Sequence, residues 1–341
     1  VAADGTAMGS GFNNNGQLGN RGTSRVLTAG AIPELGGDIV HIARGFEHTL
    51  VLKLVVMADV PSCLADIAAG GTACVVRLQA DADNLGTVTV AAGKSIEVHG
   101  GGDPLPQAQA DWEVASGASL LLADLRLVGG SGAAAALTVA SGGELSLLRV
   151  EMGSGSVSFS GAVTVTDCAL TGTDLVGSTA SAALSLSGGT LTGSSVSLSG
   201  GSATLGGSCV AVDSPLSIAD GTLSVSGCEL RSDGSSVPLT VGSGGSATVT
   251  GTVFRSSGGD ITAVSVSDGG SLTVGSSELI GADGSADPFP CDGTLPTCAG
   301  AHDGSILGAG PAAITLASPL VCDVITGACL SGLCFVVDCS N

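Results

Sequence analysis

Between Val88 and Val274 the chain repeats one phrase nine times: an apolar pair flanking one position, a Gly-bearing corner, then a second apolar pair flanking one position. Apolar alternation at period two marks half-buried strands, and a unit repeated at intervals of 20–50 residues marks a stack whose members bury their apolar face only against neighbours. The first column runs Val88/Val90, Trp112/Val114, Leu137/Val139, Val157/Phe159, Leu184/Leu186, Ala203/Leu205, Leu216/Ile218, Leu239/Val241 and Val264/Val266. The second runs Ile96/Val98, Leu120/Leu122, Leu145/Leu147, Val163/Val165, Leu223/Val225, Ala247/Val249 and Leu272/Val274. A third holds Leu125/Leu127, Val150/Met152, Cys168/Leu170, Val196/Leu198, Cys228/Leu230 and Val253. Corners such as AAGKS and GSGGS offer glycine where a sharp turn needs positive φ. Three short strands per repeat predict an all-β parallel β-helix of triangular cross-section, its usual step 23 to 27 residues. Stacked at about 4.8 Å, nine or ten coils make a rod roughly 45–50 Å long. The register weakens between Thr190 and Pro215, where Cys209 intrudes, and an irregular coil is expected there.

Composition agrees with a narrow, strand-lined interior. The chain is 44% hydrophobic but only 2% aromatic, with no Tyr, so the core is built from Val, Leu, Ile and Ala. Thirty acidic residues against ten basic ones give a formal charge of −20, which argues against nucleic acid, since a phosphate backbone needs a positive stripe. Eleven cysteines without a CxxC or Cys/His zinc spacing point to an oxidising compartment. Cys63/Cys74, Cys291/Cys298, Cys322/Cys329 and Cys334/Cys339 lie close enough in sequence to close small disulfide loops, while Cys168, Cys209 and Cys228 leave an odd thiol that is free, buried or shared with another chain. The chain begins at Val1 and holds no signal peptide and no apolar run of about 18 residues, which reads as a processed secreted protein without a membrane span. No Asn-x-Ser/Thr sequon occurs, so any glycan is expected on Ser or Thr.

The rhythm breaks twice near the C-terminus. Residues 281–305 read as a loop protruding from the rod, and its Asp283, Asp287, Asp292 and Asp303 are candidate ligands for calcium, a hard cation that takes six to eight oxygens. Residues 321–341, with four cysteines, read as a cap on the open end of the solenoid, where backbone groups would otherwise be left unpaired.

Residues 9–22, GSGFNNNGQLGNRG, and 39–52, IVHIARGFEHTLVL, carry Gly11, Asn13, Gly16, Gln17, Leu18 and Gly19, then Ile42, Ala43, Gly45, His48 and Thr49. This pattern resembles one repeat of the RCC1 family of seven-bladed β-propellers. The resemblance covers about 45 residues and implies a single blade over residues 1–55, with Ala7 and Met8 where a Trp is common. A lone blade cannot bury its own faces, so it is expected to dock on the first coil or on a neighbouring molecule. Residues 56–320, and the segment ADWEVASGASLLLADLRLVGG above all, resemble the pectin-lyase-like superfamily, which implies a right-handed parallel β-helix. Fold resemblance of this kind does not transmit an activity.

Catalytic templates for that fold find little purchase. A lyase needs an acid cluster and a strong base on one exterior strand. Lys53 and Lys94 are the lysines on offer, and Arg126, Arg149, Arg231 and Arg255 recur singly at coil edges without an evident acid column. A glycoside hydrolase needs two carboxylates flanking the scissile bond, for which Asp81/Asp83 and Asp103/Asp111 are the nearest pairs, read here as solvent-facing loop acids. His41, His48, His99 and His302 are scattered, and the threonines that an ice-binding face requires are interrupted by Ser, Ala or Glu. Trp112, the single Trp, falls in a core column rather than on a sugar platform. The expectation is a non-catalytic extracellular structural or adhesive protein, a subunit of a surface or flagellar-appendage assembly, with copies of itself or other extracellular structural proteins as partners. The alternative is a polysaccharide-binding or lyase-like β-helix.

Overall fold

In a computed structural model the chain is an all-β parallel solenoid of about nine turns. The structure describes residues 59–277, apart from 131, 133, 234–236, 257–260, 268, 276 and the side chains at 256 and 261–263. It also describes positions 13, 14, 18 and 25, and the backbone of the outlying strands Met8–Gly11, Val26–Ala31, Ile39–Arg44, Thr49–Lys53, Val56–Met57, Glu278–Ile280, Ala286–Pro288, Gly304–Gly308 and Ala313–Ala317.

Each coil contributes a strand to three faces, and like faces pair in parallel from coil to coil. The first sheet stacks Val88, Trp112, Leu137, Val157, Leu175, Val196, Leu216, Leu239 and Val264 in register. The second stacks Cys74, Ile96, Leu120, Leu145, Val163, Leu184, Ala203, Leu223, Ala247 and Leu272. The third stacks Leu127, Met152, Leu170, Leu191, Ala211, Leu230 and Phe254. All of these side chains are buried in one continuous core. At roughly 25 cal/mol per Å2 of apolar surface, this burial supplies most of the favourable free energy.

This pairing corrects the column assignment in the middle of the rod. Leu184/Leu186 and Ala203/Leu205 belong to the second sheet, Val196/Leu198 belongs to the first, and Phe254 rather than Val253 points inward. The coil around Cys209 is shortened but regular. Residues hydrogen-bonded across neighbouring coils are 18 apart at Ser160/Ser178, 21 at Thr173/Ser194 and 20 at Ser194/Ser214, against 24 to 26 nearer the ends. The expected 23-to-27-residue step fits only the longer coils.

Between the second and third sheets the chain turns through positive φ in each coil from Asp124 to Gly251: Asp124 (56°), Arg149 (51°), Asp167 (51°), Gly188 and Gly189 (68° and 74°), Gly207 and Ser208 (68° and 65°), Gly227 (64°) and Gly251 (56°). Glycine takes this conformation freely, whereas the three early non-glycine corners are tolerated because neighbouring coils fix the backbone on both sides. Asp124 N–H, for instance, donates to Leu148 O at 3.0 Å, and Arg149 N–H to Thr166 O at 2.9 Å.

Another turn of the coil is closed from within by a polar ladder. The buried Thr173 N–H donates to Ser194 Oγ at 3.0 Å, and Ser194 N–H donates to Ser214 Oγ at 3.0 Å. The Ser194 hydroxyl in turn donates to carbonyls, Leu170 O at 3.1 Å among them. Backbone donors that turn inward at a corner must find partners, and these hydroxyls supply them at each step. Trp112 is the exception: its indole N–H is buried without a partner among the described residues, a penalty offset by burial of its large ring.

The one helix among the described residues, α1 (Val60–Ala68), lies against the first strands of the rod. Asp59 caps it, its Oδ1 accepting from Ser62 N–H at 2.7 Å, and Pro61 favours the first turn. Val60 and Cys63 face inward, and a disulfide joins Cys63 to Cys74 on the strand Ala73–Leu78 of the second sheet. The backbone strands nearer the N-terminus form two antiparallel hairpins, Met8–Gly11 with Val26–Ala31 and Ile39–Arg44 with Thr49–Lys53.

Candidate functional site

Among the described residues, a candidate ligand site lies on the outer face of the second sheet in its first coils. Arg77 and His99 share one register position on neighbouring strands, as do Val75 and Glu97. The αL corner at Asp124 overhangs them, and the resulting open groove of about 840 Å3 is lined by Val75, Leu78, Arg77, Glu97, His99 and Asp124, with Gly100 and Gly101 at one margin. Gly100 is required there, because a Cβ would run into the Asp124 carbonyl and lie 2.8 Å from the Pro106 ring.

Inside the groove His99 Nε2 lies 3.1 Å from Glu97 Oε2, both side chains half-exposed. Asp124 receives two hydrogen bonds from Arg149 of the next coil, Nε to Oδ1 at 2.6 Å and Nη2 to Oδ2 at 2.8 Å. The Arg149 hydrogen bond, supported by its charge and by His99, holds the Asp124 carboxyl below the usual carboxylate range, and Asp124 raises the guanidinium of Arg149 in return. Arg77 is exposed and has no acid within salt-bridge distance among the described residues. Chemically the groove offers an apolar floor, one uncommitted guanidinium, and an imidazole–carboxylate pair.

The edge arginines are engaged by acids after all. Arg126 meets Glu151 across one coil at 3.4 Å, and Arg231 and Arg255, stacked in register, share Glu229 at 2.8 and 2.7 Å. Arg231 first and Arg255 second hold the Glu229 carboxyl below its ordinary value. The acid column is not evident in the sequence because partners 25 or 26 residues apart meet only once coils stack: Arg126 and Glu151 share one register position, Arg255 reaches diagonally to Glu229, and Arg231 lies two residues from Glu229 on one strand. Lys94 is likewise spent on structure, donating to Gly71 O at 2.7 Å. Asp81 and Asp111 are not simply solvated. Asp81 accepts from Gln107 N–H at 2.8 Å and Asp111 from Ala136 N–H at 3.1 Å, each bracing an adjacent coil.

Of the candidate calcium ligands, Asp283, Asp292 and Asp303 lie outside the described residues, and for Asp287 only the backbone is described, paired antiparallel with Leu279. Among the described residues no three His, Cys, Asp or Glu side chains gather as a metal cage. Of the four disulfide loops expected from spacing, Cys63–Cys74 is formed. The other three, Cys291 with Cys298, Cys322 with Cys329 and Cys334 with Cys339, fall on cysteines outside the described residues. The odd trio resolves: Cys209 and Cys228 join neighbouring coils of the third sheet, and Cys168 is a buried free thiol. Its Sγ accepts from Val150 N–H and donates to Thr166 O, both at 3.3 Å, and burial pushes the thiol pKa up. No helix among the described residues is long and apolar enough to cross a membrane.

No protein-family model, curated protein or solved structure matches the chain. The site's geometry therefore stands alone as the guide to function.

Proposed function

We propose that the chain is a non-catalytic structural or adhesive subunit of an extracellular surface or appendage assembly, working as a stiff rod that binds copies of itself or other structural proteins. The observation that carries this reading is how the interior and the charged groups are used. Neighbouring coils pair strand to strand in parallel, the inward-turning donors of Thr173 and Ser194 meet buried hydroxyls, and Arg126, Arg149 and Arg255 each tie one coil to the next. Disulfides at Cys63–Cys74 and Cys209–Cys228 fit a secreted protein. Residues 1–55 read as one RCC1-like blade. Two hairpins and the buried Asn13, whose Oδ1 accepts from Leu18 N–H at 2.8 Å within the Gly-Gln-Leu-Gly motif, support that reading. The rod is taken as right-handed, as pectin-lyase-like β-helices are. Sedimentation equilibrium of the full chain over a wide concentration series, alone and with extracts of surface proteins, tests the proposal. Mass above the monomer supports it, and a strict monomer that binds nothing contradicts it.

The groove favours a second reading, polysaccharide binding, because the uncommitted Arg77 lies beside the Glu97–His99 pair. Titration with acidic and neutral polysaccharides, comparing the native chain with Arg77→Ala, separates the two. Saturable binding lost in the variant favours the second.

A further inference from the structure

Over its later coils one face of this acidic rod carries no charge at its outward strand positions among the described residues. From the strand Ala162–Thr166 onward, the outward positions of the second sheet hold only Ala, Ser, Thr and Gly through Ala183–Ser187, Ser202–Gly206, the second halves of Leu216–Ser226 and Leu239–Thr250, and Ser271–Gly275. Its central row is Thr164, Ser185, Thr204, Ser224, Thr248 and Thr273, in unbroken register, and Thr315 takes the next position. None of the six hydroxyls makes a hydrogen bond within the chain among the described residues, and all six positions are exposed or half-exposed. The other two faces are different. Asp111, Glu113 and Asp174 stand on the first, and Glu151 and Glu229 with their arginines on the third. Within the second sheet the acids stop at Glu144, and Asp167 and Asp220 mark only the margins of the neutral stretch.

We propose that this face is where a second copy of the chain docks, a step that rests on the self-association reading above and assigns its surface. The occupant follows from charge and area. Two rods of formal charge −20 repel wherever carboxylates meet, and like-charge juxtaposition costs several kcal/mol, so an uncharged face is where two copies approach most cheaply. Seven strands spaced about 4.8 Å apart and five residues wide span roughly 550 Å2, so a pair buries about 1,100 Å2, at the threshold for a specific interface. A face that meets itself is isologous, and a two-fold pair of straight ladders keeps hydroxyl opposite hydroxyl along the contact. Side chains of one or two rotatable bonds lose little entropy on docking, and the free hydroxyls find donors and acceptors on the partner. Contact at this size is weak for a single pair and is strengthened by repetition in an assembly.

Sedimentation velocity on the full chain, with Thr204→Glu and Thr248→Glu together against Thr192→Glu on the third sheet, tests the assignment. Thermal melts of each variant check that the rod is intact. The expected result is lateral association weakened roughly a hundredfold or more by the double substitution and unchanged by the control. Raising salt from low to physiological strength should tighten association of the native chain, because it screens the residual repulsion between acidic rods. Association unaffected by the double substitution, or loosened by salt, overturns the interface while leaving self-association standing. A native chain that stays monomeric throughout overturns both, and a monomer that instead arrests ice growth or adsorbs to a crystalline glycan through this face assigns it to that surface.

Discussion

Ser194 shows how much of this molecule is decided by single buried hydroxyls. Its Oγ receives the Thr173 N–H and bonds to the carbonyl of Leu170, so Ser194→Ala leaves a buried backbone donor unpaired. The expected loss is about 1–3 kcal/mol in equilibrium denaturation, whereas Ser185→Ala on the outer face should stay within about 0.5 kcal/mol. Asp124 contributes in a different way. Its folded-state carboxyl is held lower than in the unfolded chain, so the stability from its Arg149 contact is complete above about pH 4 and disappears as pH falls through the lowered value. Denaturation midpoints followed into acid should therefore fall less steeply for Asp124→Asn than for the native chain, and equal slopes would show the pair to be idle. Neither residue announces itself in the sequence. Ser194 is one serine among many until pairing places it inside, and Asp124 finds Arg149 only once both corners turn through positive φ.

At the scale of elements, the strands were readable and their assignment to faces was only partly so. Val88/Val90 through Val157/Phe159 fall where alternation puts them, because those coils are long and their corners distinct. Between Val157 and Leu216 the three faces all carry similar apolar pairs, and the coils shorten. Nothing local separates Leu184/Leu186 from Val196/Leu198, and only cross-coil hydrogen bonding sorts them into the second and first sheets. The same shortening places Cys209 and Cys228, 19 residues apart, at equivalent positions of successive coils, where a disulfide forms. The tie between Cys63 and Cys74 was legible from the cysteine spacing, but the short helix that carries Cys63 was not, since only Val60 and Cys63 are buried and no apolar periodicity marks it. Removing either bridge by paired Cys→Ser substitution should cost about 3 kcal/mol, for closed loops of 11 and 19 residues. The cost should be visible as a lower denaturant midpoint. Loss of the Cys63–Cys74 pair should also speed amide exchange in Val60–Ala68 before the central coils, since an end element opens locally.

For the whole molecule, the stack makes stability quasi-one-dimensional, with each coil supported mainly by its two neighbours. Function then belongs to what the coils present outward. Candidate chemistry gathers in the first coils around Arg77, Glu97 and His99, and the later coils present a long neutral face. The catalytic templates weighed from the sequence placed their acids in loops. The structure instead uses Asp81, Asp111, Glu151 and Glu229 to brace one coil against another. That use of charge was hidden because partners a full coil apart in sequence become contacts only after stacking. The proposed function makes the chain a self-associating rod. Small-angle scattering of the full chain through a concentration series at physiological salt measures shape and mass together. An elongated particle is expected, with forward scattering per unit concentration rising toward at least twice the monomer value, and a constant monomer value across the series rules out self-association.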